Sequence, residues 1–271
     1  MYAELNSILN ASPDNCKQGE FTLISDRKAD ASFLVHHFLS FYLRAGCKVC
    51  FLGLAQSFSH YSAVAQRLGV SLTQAKEKGQ LVFYEGLKDC LGVLLREGST
   101  HESPTLDFLR PHCSDLKGLY DFVSSSVARV GDAAGTGPWA PPVLLVDDLS
   151  VLLSLGVSAG AVLDFTHYCK ATICTELQGN MVTLIRCEEE EEEQGDEQGS
   201  DVLLKGLIHQ CSLALQVQGL LTGYCKHIHG EVEVWWRGVA NGMQMQKKVL
   251  QYKVHDKGAV FFARGTSSVV L

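Results

Sequence analysis

Hydrophobic and polar positions alternate between two kinds of segment along this chain. Short apolar runs stand at Phe21 to Ser25, Lys48 to Leu54, Leu81 to Tyr84, Val143 to Val146, Met181 to Ile185 and Leu213 to Val217. Four to seven apolar residues bounded by turn residues read as buried strands. Between them lie segments with helical spacing. Asp30 is placed to cap a helix to Arg44, which Gly46 ends; His60 to Leu68, Asp115 to Val130, Ala159 to Leu177 and Val202 to His209 follow. The first of these helices carries Phe33, Leu34, Val35, Phe38, Leu39, Phe41, Tyr42 and Leu43. It is apolar over more than one stripe, so it is expected to be covered on several sides.

Repeated strand–helix–strand units with near-continuous apolar strands predict an α/β fold. The sheet should be mostly parallel, with helices on both faces. The tail differs. Glu231 to Arg237, Val249 to Val254 and Ala259 to Ala263 have no helices between them and are expected to form antiparallel strands at the end of the sheet. One α/β domain spanning 1–271 is the expected organisation.

Composition adds limits. The 271 residues are 46% hydrophobic and 20% charged, with a net charge of −7, which is ordinary globular usage. No positive balance exists to neutralise nucleic-acid phosphates. Eight acids fall in Glu188 to Glu197, and the rest of the chain is at +1. A disordered, solvated acidic insertion at about 188–199 is the expectation. The N-terminus has no basic start or apolar run, and no apolar stretch reaches the ~20 residues of a membrane helix, so a soluble protein with no membrane partner is expected. The ten cysteines are scattered. Cys47 and Cys50, three apart on a strand, face opposite sides and cannot readily share a metal. Buried or free thiols in a reducing cytosol are expected.

In a parallel α/β sheet the loop after the first strand is the natural phosphate cradle. A nucleoside-triphosphate loop reads G-x-x-x-x-G-K-[ST]: glycines let backbone N–H groups wrap the phosphates, and the lysine neutralises them. Here Ser25 and Asp30 stand at the glycine positions, Ala31 at the lysine, and only Ser32 matches. A carboxylate 4 Å from a phosphate charge repels it by about 4 kcal/mol at an effective dielectric of ~20. The strand ending in Asp147-Asp148 has the form of the companion segment that holds Mg²⁺. Without a lysine partner, a capping or structural role for these acids is expected. No cofactor, no metal and no catalytic residue is assigned. His36 and His37, on an apolar helix, read as packed or partner-facing; His227 and His229 read as a surface turn.

The segments Leu34 to Leu72 (LVHHFLSFYLRAGCKVCFLGLAQSFSHYSAVAQRLGVSL) and Pro142 to Gly156 (PVLLVDDLSVLLSLG) resemble the Elongator complex protein 6 family. The likeness runs over nearly the whole chain and is weakest in Thr100 to Ala140 and the acidic loop. It implies a RecA-like ATPase fold without its phosphate loop. It also implies assembly with Elongator subunits 4 and 5 into a hexameric ring of two heterotrimers. That ring joins the larger complex that modifies the tRNA wobble uridine, and it is associated with ATP hydrolysis and ATP-modulated tRNA binding. The modification chemistry belongs to another subunit.

The acidic loop stands where RecA-like rings carry a central nucleic-acid-facing loop. Its glutamates would repel phosphates, so tRNA contact is expected indirectly, through basic neighbours. In Glu231 to Arg237, alternation sets Val232, Val234 and Trp236 on one face and Trp235 on the polar one. Trp235 is thus a candidate partner contact, the alternative being a ring covered by Phe261 or Phe262. The leading reading is a non-catalytic assembly subunit. Its alternatives are an atypical phosphate-loop-fold ATPase or kinase acting alone, and a free adaptor without a ring. The cytoplasm is the expected location, with the nucleus left open.

Overall fold

A computed structural model describes residues 2–89, 105, 115–128, 139–187, 199–220, 223, 225–237, 246–256 and 258–264. The acidic residues 188–198 lie outside this set, while Gly199, expected to close the insertion, is the first residue of a helix.

One nine-stranded sheet organises the chain. Its strands are β1 (Phe21–Arg27), β2 (Cys47–Gly53), β3 (Leu81–Glu85), β4 (Ala140–Val146), β5 (Asn180–Arg186), β6 (Leu213–Gly219), β7 (Gly230–Trp236), β8 (Gln246–His255) and β9 (Gly258–Ala263). Their spatial order is β3-β2-β4-β5-β1-β6-β7-β8-β9. The six strands from β3 to β6 pair in parallel, and β7, β8 and β9 add antiparallel strands at one end. The described helices are α1 (Ala3–Leu9), α2 (Ser32–Arg44), α3 (Phe58–Arg67), α4 (Leu72–Glu77), α5 (Lys117–Val127), α6 (Ser150–Ser154), α7 (Ala159–Lys170) and α8 (Gly199–Gln210). A π-helical turn, Ala171–Glu176, extends α7.

Two apolar layers sandwich the sheet because strand side chains alternate. Val49, Phe51, Val143, Leu145, Val182 and Leu184 join α1 to α4 on one face. Cys50, Leu52, Leu144, Val146, Met181 and Ile185 join α5 to α8 on the other. Cys47 and Cys50 fall in opposite layers. Every residue of α2 from Phe33 to Leu43 is buried, including both histidines. Gly46, at φ 73°, ends α2 in the left-handed conformation that suits glycine, its N–H bonding Leu43 O.

The antiparallel end is covered differently. Val232, Val234, Leu250, Tyr252 and Phe261 point into the first layer. The reverse face of β7 and β8 carries Glu231, Glu233, Trp235, Lys247 and Gln251, the polar half of a one-sided sheet. Sequence periodicity placed all nine strands but missed α1, α4 and α6. These helices have five to seven residues, too few turns for a stripe to show.

Candidate functional site

The carboxyl ends of β1, β4 and β5 converge where a parallel sheet offers its binding crevice. β1 delivers Ser25 and Asp26, both buried, and the chain reverses through Lys28 at φ 52°. The turn packs on β6: a Cβ at Gly219 would meet Lys28 O at 2.5 Å, so only glycine permits the approach. Asp26 Oδ2 then accepts the Ala31 N–H at 3.3 Å, and Asp30 Oδ1 accepts the Ser32 N–H at 2.9 Å. Asp30 therefore bonds the first residue of α2 from two positions upstream, and Ala31 is the cap residue. Two of the amides that would cradle an anion at a helix N-terminus, those of Ala31 and Ser32, are bonded to carboxylates of their own loop.

Arg186, the last residue of β5, holds these acids together. It stands in parallel register beside Asp26. Its Nε donates to Asp148 Oδ2 at 2.9 Å, while Nη1 lies 3.8 Å from Asp26 Oδ2 and Nη2 3.7 Å from Asp30 Oδ1. Ser150 locks the arrangement. Its N–H bonds Asp148 Oδ1, and its Oγ accepts the Arg186 N–H at 2.8 Å. Burial pushes the Asp26 carboxyl up to about 6, against the Ala31 N–H and Arg186, which pull it down. Burial likewise raises Asp148, with Ser150 and Arg186 opposing. For Arg186, burial disfavours the charge, but the three aspartates outweigh it and raise its pKa.

Asp147 faces elsewhere. Its carboxylate accepts N–H groups from Leu54 at 2.7 Å, Ala55 at 3.1 Å and Gln56 at 3.2 Å, and the Tyr61 hydroxyl at 3.1 Å. It thereby ties the β2–α3 connection to β4. Burial pushes this carboxyl up to about 6 in spite of those donors.

These residues do not fit a nucleoside triphosphate with Mg²⁺. Two carboxylates occupy the cradle, its Ala31 and Ser32 amides are engaged, and Arg186 is paired three ways. The apolar pattern alone ends β5 at Ile185 and gives Arg186 no role, whereas the strand runs through Arg186. The available signal was the first charge after a buried strand that ends beside two acid-terminated strands.

The remaining candidates are dispersed. Trp235 packs under Lys247, whose Nζ lies 4.5 Å from its ring centre. It lines a cavity of about 180 Å³ with Leu23, Ile208, Cys211, Ala214 and Arg237. Phe261, one of the two rings weighed as its cover, lies on the opposite face against Tyr2 and Phe33. His37 Nδ1 accepts the Tyr2 N–H at 3.0 Å, and His36 packs on His60 and Tyr61. His229 Nδ1 accepts the Val254 N–H, and His227 is exposed. Among the described residues no group of three or more metal-ligating side chains could hold an ion, and no helix is long and apolar enough to cross a membrane.

Solved structures share this architecture. A KaiC-like protein from Pyrococcus horikoshii matches with a TM-score of 0.50 and 13% identity, over 92% of each chain. An uncharacterised protein of the same organism, solved with an unknown peptide, matches with a TM-score of 0.61 and 12% identity, over 97% of this chain and 98% of that one. Fold and site together define a RecA-like α/β protein whose phosphate-loop position is filled by its own side chains. The family described as Elongation complex protein 6 matches residues 2–256. Elongator complex protein 6 of Danio rerio is 65% identical and that of Homo sapiens 51% identical, each over the full length of both chains. The Dictyostelium discoideum protein of that name is 22% identical over 92% of this chain and 91% of its own. The chain belongs to the Elongator complex protein 6 family.

Proposed function

We propose that this chain is a non-catalytic, pseudo-ATPase subunit of a hetero-hexameric ring formed with Elongator subunits 4 and 5. The ring supports tRNA wobble-uridine modification by the larger complex. One observation carries the reading: Arg186 is paired with Asp26, Asp30 and Asp148 across the place a triphosphate would take. A nucleotide would have to displace that guanidinium from three carboxylates and then face the carboxylates itself. Any ATP hydrolysis belongs to the assembled ring, and no residue here is catalytic.

The polar face around Trp235 is the proposed partner contact. Its ring is only part-buried beneath Lys247, and beside it lies a cavity floored by apolar side chains, the setting in which an interface tryptophan contributes most. tRNA is met indirectly, because the acids of Glu188 to Glu193 repel phosphate. The cytoplasm is the proposed site of action, with the nucleus a second one.

The native mass of the three co-expressed subunits tests this reading. A closed hexamer with two copies of this chain is expected. A monomer, or a complex lacking subunits 4 and 5, would overturn it.

A further inference from the structure

The cavity of about 180 Å³ beside Trp235 opens between the last turn of α8 and the strands β1, β6 and β7. Its walls are mostly apolar. Leu23 of β1, Ala214 of β6 and Trp235 of β7 line it from the sheet, and Ile208 and Cys211 from the helix end. The Ser212 hydroxyl, also on the wall, is engaged: it donates to Phe21 O at 3.1 Å and accepts the Phe21 N–H at 3.0 Å. Ile208 is 37% exposed and Trp235 is half-buried, so the apolar walls continue out to the surface.

Positive charge borders this cavity. Arg237 follows β7 directly and lines the wall; its Nη1 donates to His209 O, and it meets no carboxylate among the described residues. Lys170 Nζ donates to Gln210 O at 2.6 Å. Both cations thus end on carbonyls of the last turn of α8, which leave their charges uncancelled. Burial pushes the Cys211 thiol up to about 11, and Arg237 and Lys170 pull against it. Glu233, two residues before Trp235, is taken by Lys247 at 2.8 Å, and none of the side chains lining the cavity is acidic. A chain of net charge −7 presents here an apolar hollow rimmed by cations.

We propose that this cavity anchors a neighbouring ring subunit, which inserts one large apolar side chain between Ile208 and Trp235 and sets a carboxylate against Arg237. An apolar cavity of about 150 Å³ takes a benzene-sized group, so this one has room for a single phenylalanine, leucine or methionine side chain. The inference rests on the ring reading above and gives it a chemistry. The apolar anchor carries the affinity, and the rim charge makes association salt-sensitive.

The test is calorimetric titration of co-purified subunits 4 and 5 into the full chain at low and raised salt. Ala214→Leu fills the cavity from the sheet side and should weaken association about tenfold or more, with the melting temperature of the chain unchanged or raised. Ile208→Ala, at a part-exposed position, should weaken it too, and decides the matter if Ala214→Leu does not fold. Arg237→Gln should weaken binding at low salt and flatten its salt dependence, while Arg237→Lys keeps most of both. Wild-type affinity in the Ala214 and Ile208 variants, with the ring still assembling, would overturn the anchor and leave the ring reading standing. An unaltered salt dependence in Arg237→Gln would overturn the carboxylate assignment. Failure of subunits 4 and 5 to bind the wild-type chain would overturn both readings. Self-association of the wild-type chain alone, lost in Ala214→Leu, would overturn the proposal in favour of a second copy.

Discussion

Arg186 Nε and Asp148 Oδ2 lie 2.9 Å apart, and the same guanidinium reaches toward Asp26 and Asp30. The arginine is part-exposed while Asp26 and Asp148 are buried, so its removal strands two acids rather than one cation. Breaking a fully buried pair costs about 3–5 kcal/mol; with the guanidinium half in water, Arg186→Ala should cost about 1–2 kcal/mol near neutral pH.

The loss has a pH signature. The Asp26 carboxyl sits at about 6 in the folded chain, above its ordinary value of 3.8. A raised acid binds its proton more tightly when folded, so the stability it contributes is present at low pH and lost as pH rises through about 6. Without Arg186 the ionised form is worse still. The cost of Arg186→Ala, read by urea unfolding, should therefore grow between pH 4.5 and 7.5. A pH-independent cost would mean that Arg186 acts by packing alone.

His37 works in the opposite direction. Burial pushes its pKa down to about 3, from an ordinary 6.5. Its contribution is complete above pH 6.5 and is lost as pH falls toward 3, about 2 kcal/mol of it by pH 5. Protonation would also end acceptance of the Tyr2 N–H at Nδ1. His37→Gln should cost stability at pH 7.5 yet lose less than the wild type between pH 6.5 and 5. Parallel pH profiles for the two proteins would contradict the assignment.

Tyr61→Phe deletes the hydroxyl that Asp147 accepts, leaving its three backbone donors. One hydrogen bond to a charged acceptor is worth about 1.5–3 kcal/mol. Chemical denaturation should show a loss in that range. Asp147→Asn should cost more, because its amide NH₂ would confront backbone donors.

Trp235→Ala tests the proposed partner face. Pull-down of subunits 4 and 5 should weaken while the yield of soluble chain is unchanged. Equal losses of both would mean that the ring serves only its own fold. Deleting Glu188 to Glu193 should leave tRNA binding by the assembled ring intact or stronger; a sharp loss would place that loop on the RNA.

Much of the fold was legible because buried parallel strands are bounded apolar runs, and the chain has six of them. The C-terminal antiparallel strands showed as well, since Val232 and Val234 alternate with Glu231 and Glu233. Gly46 marked the end of α2 through a conformation that favours glycine. The site was legible only by subtraction. Asp30 and Ala31 announce that a phosphate cradle is missing, but not what replaces it. Arg186 lies 156 residues beyond Asp30 in the chain and meets it only because β5 pairs with β1. No local pattern carries that register. The same holds for Asp147, whose donors belong to the β2–α3 connection.

A non-catalytic role requires that the crevice at the ends of β1, β4 and β5 be already full. Calorimetric titration of the isolated chain with ATP and Mg²⁺ measures this directly. The expected result is no saturable heat at millimolar nucleotide. Saturable binding in the micromolar range, lost on changing Asp147 to Asn under conditions where that variant remains folded, would contradict it.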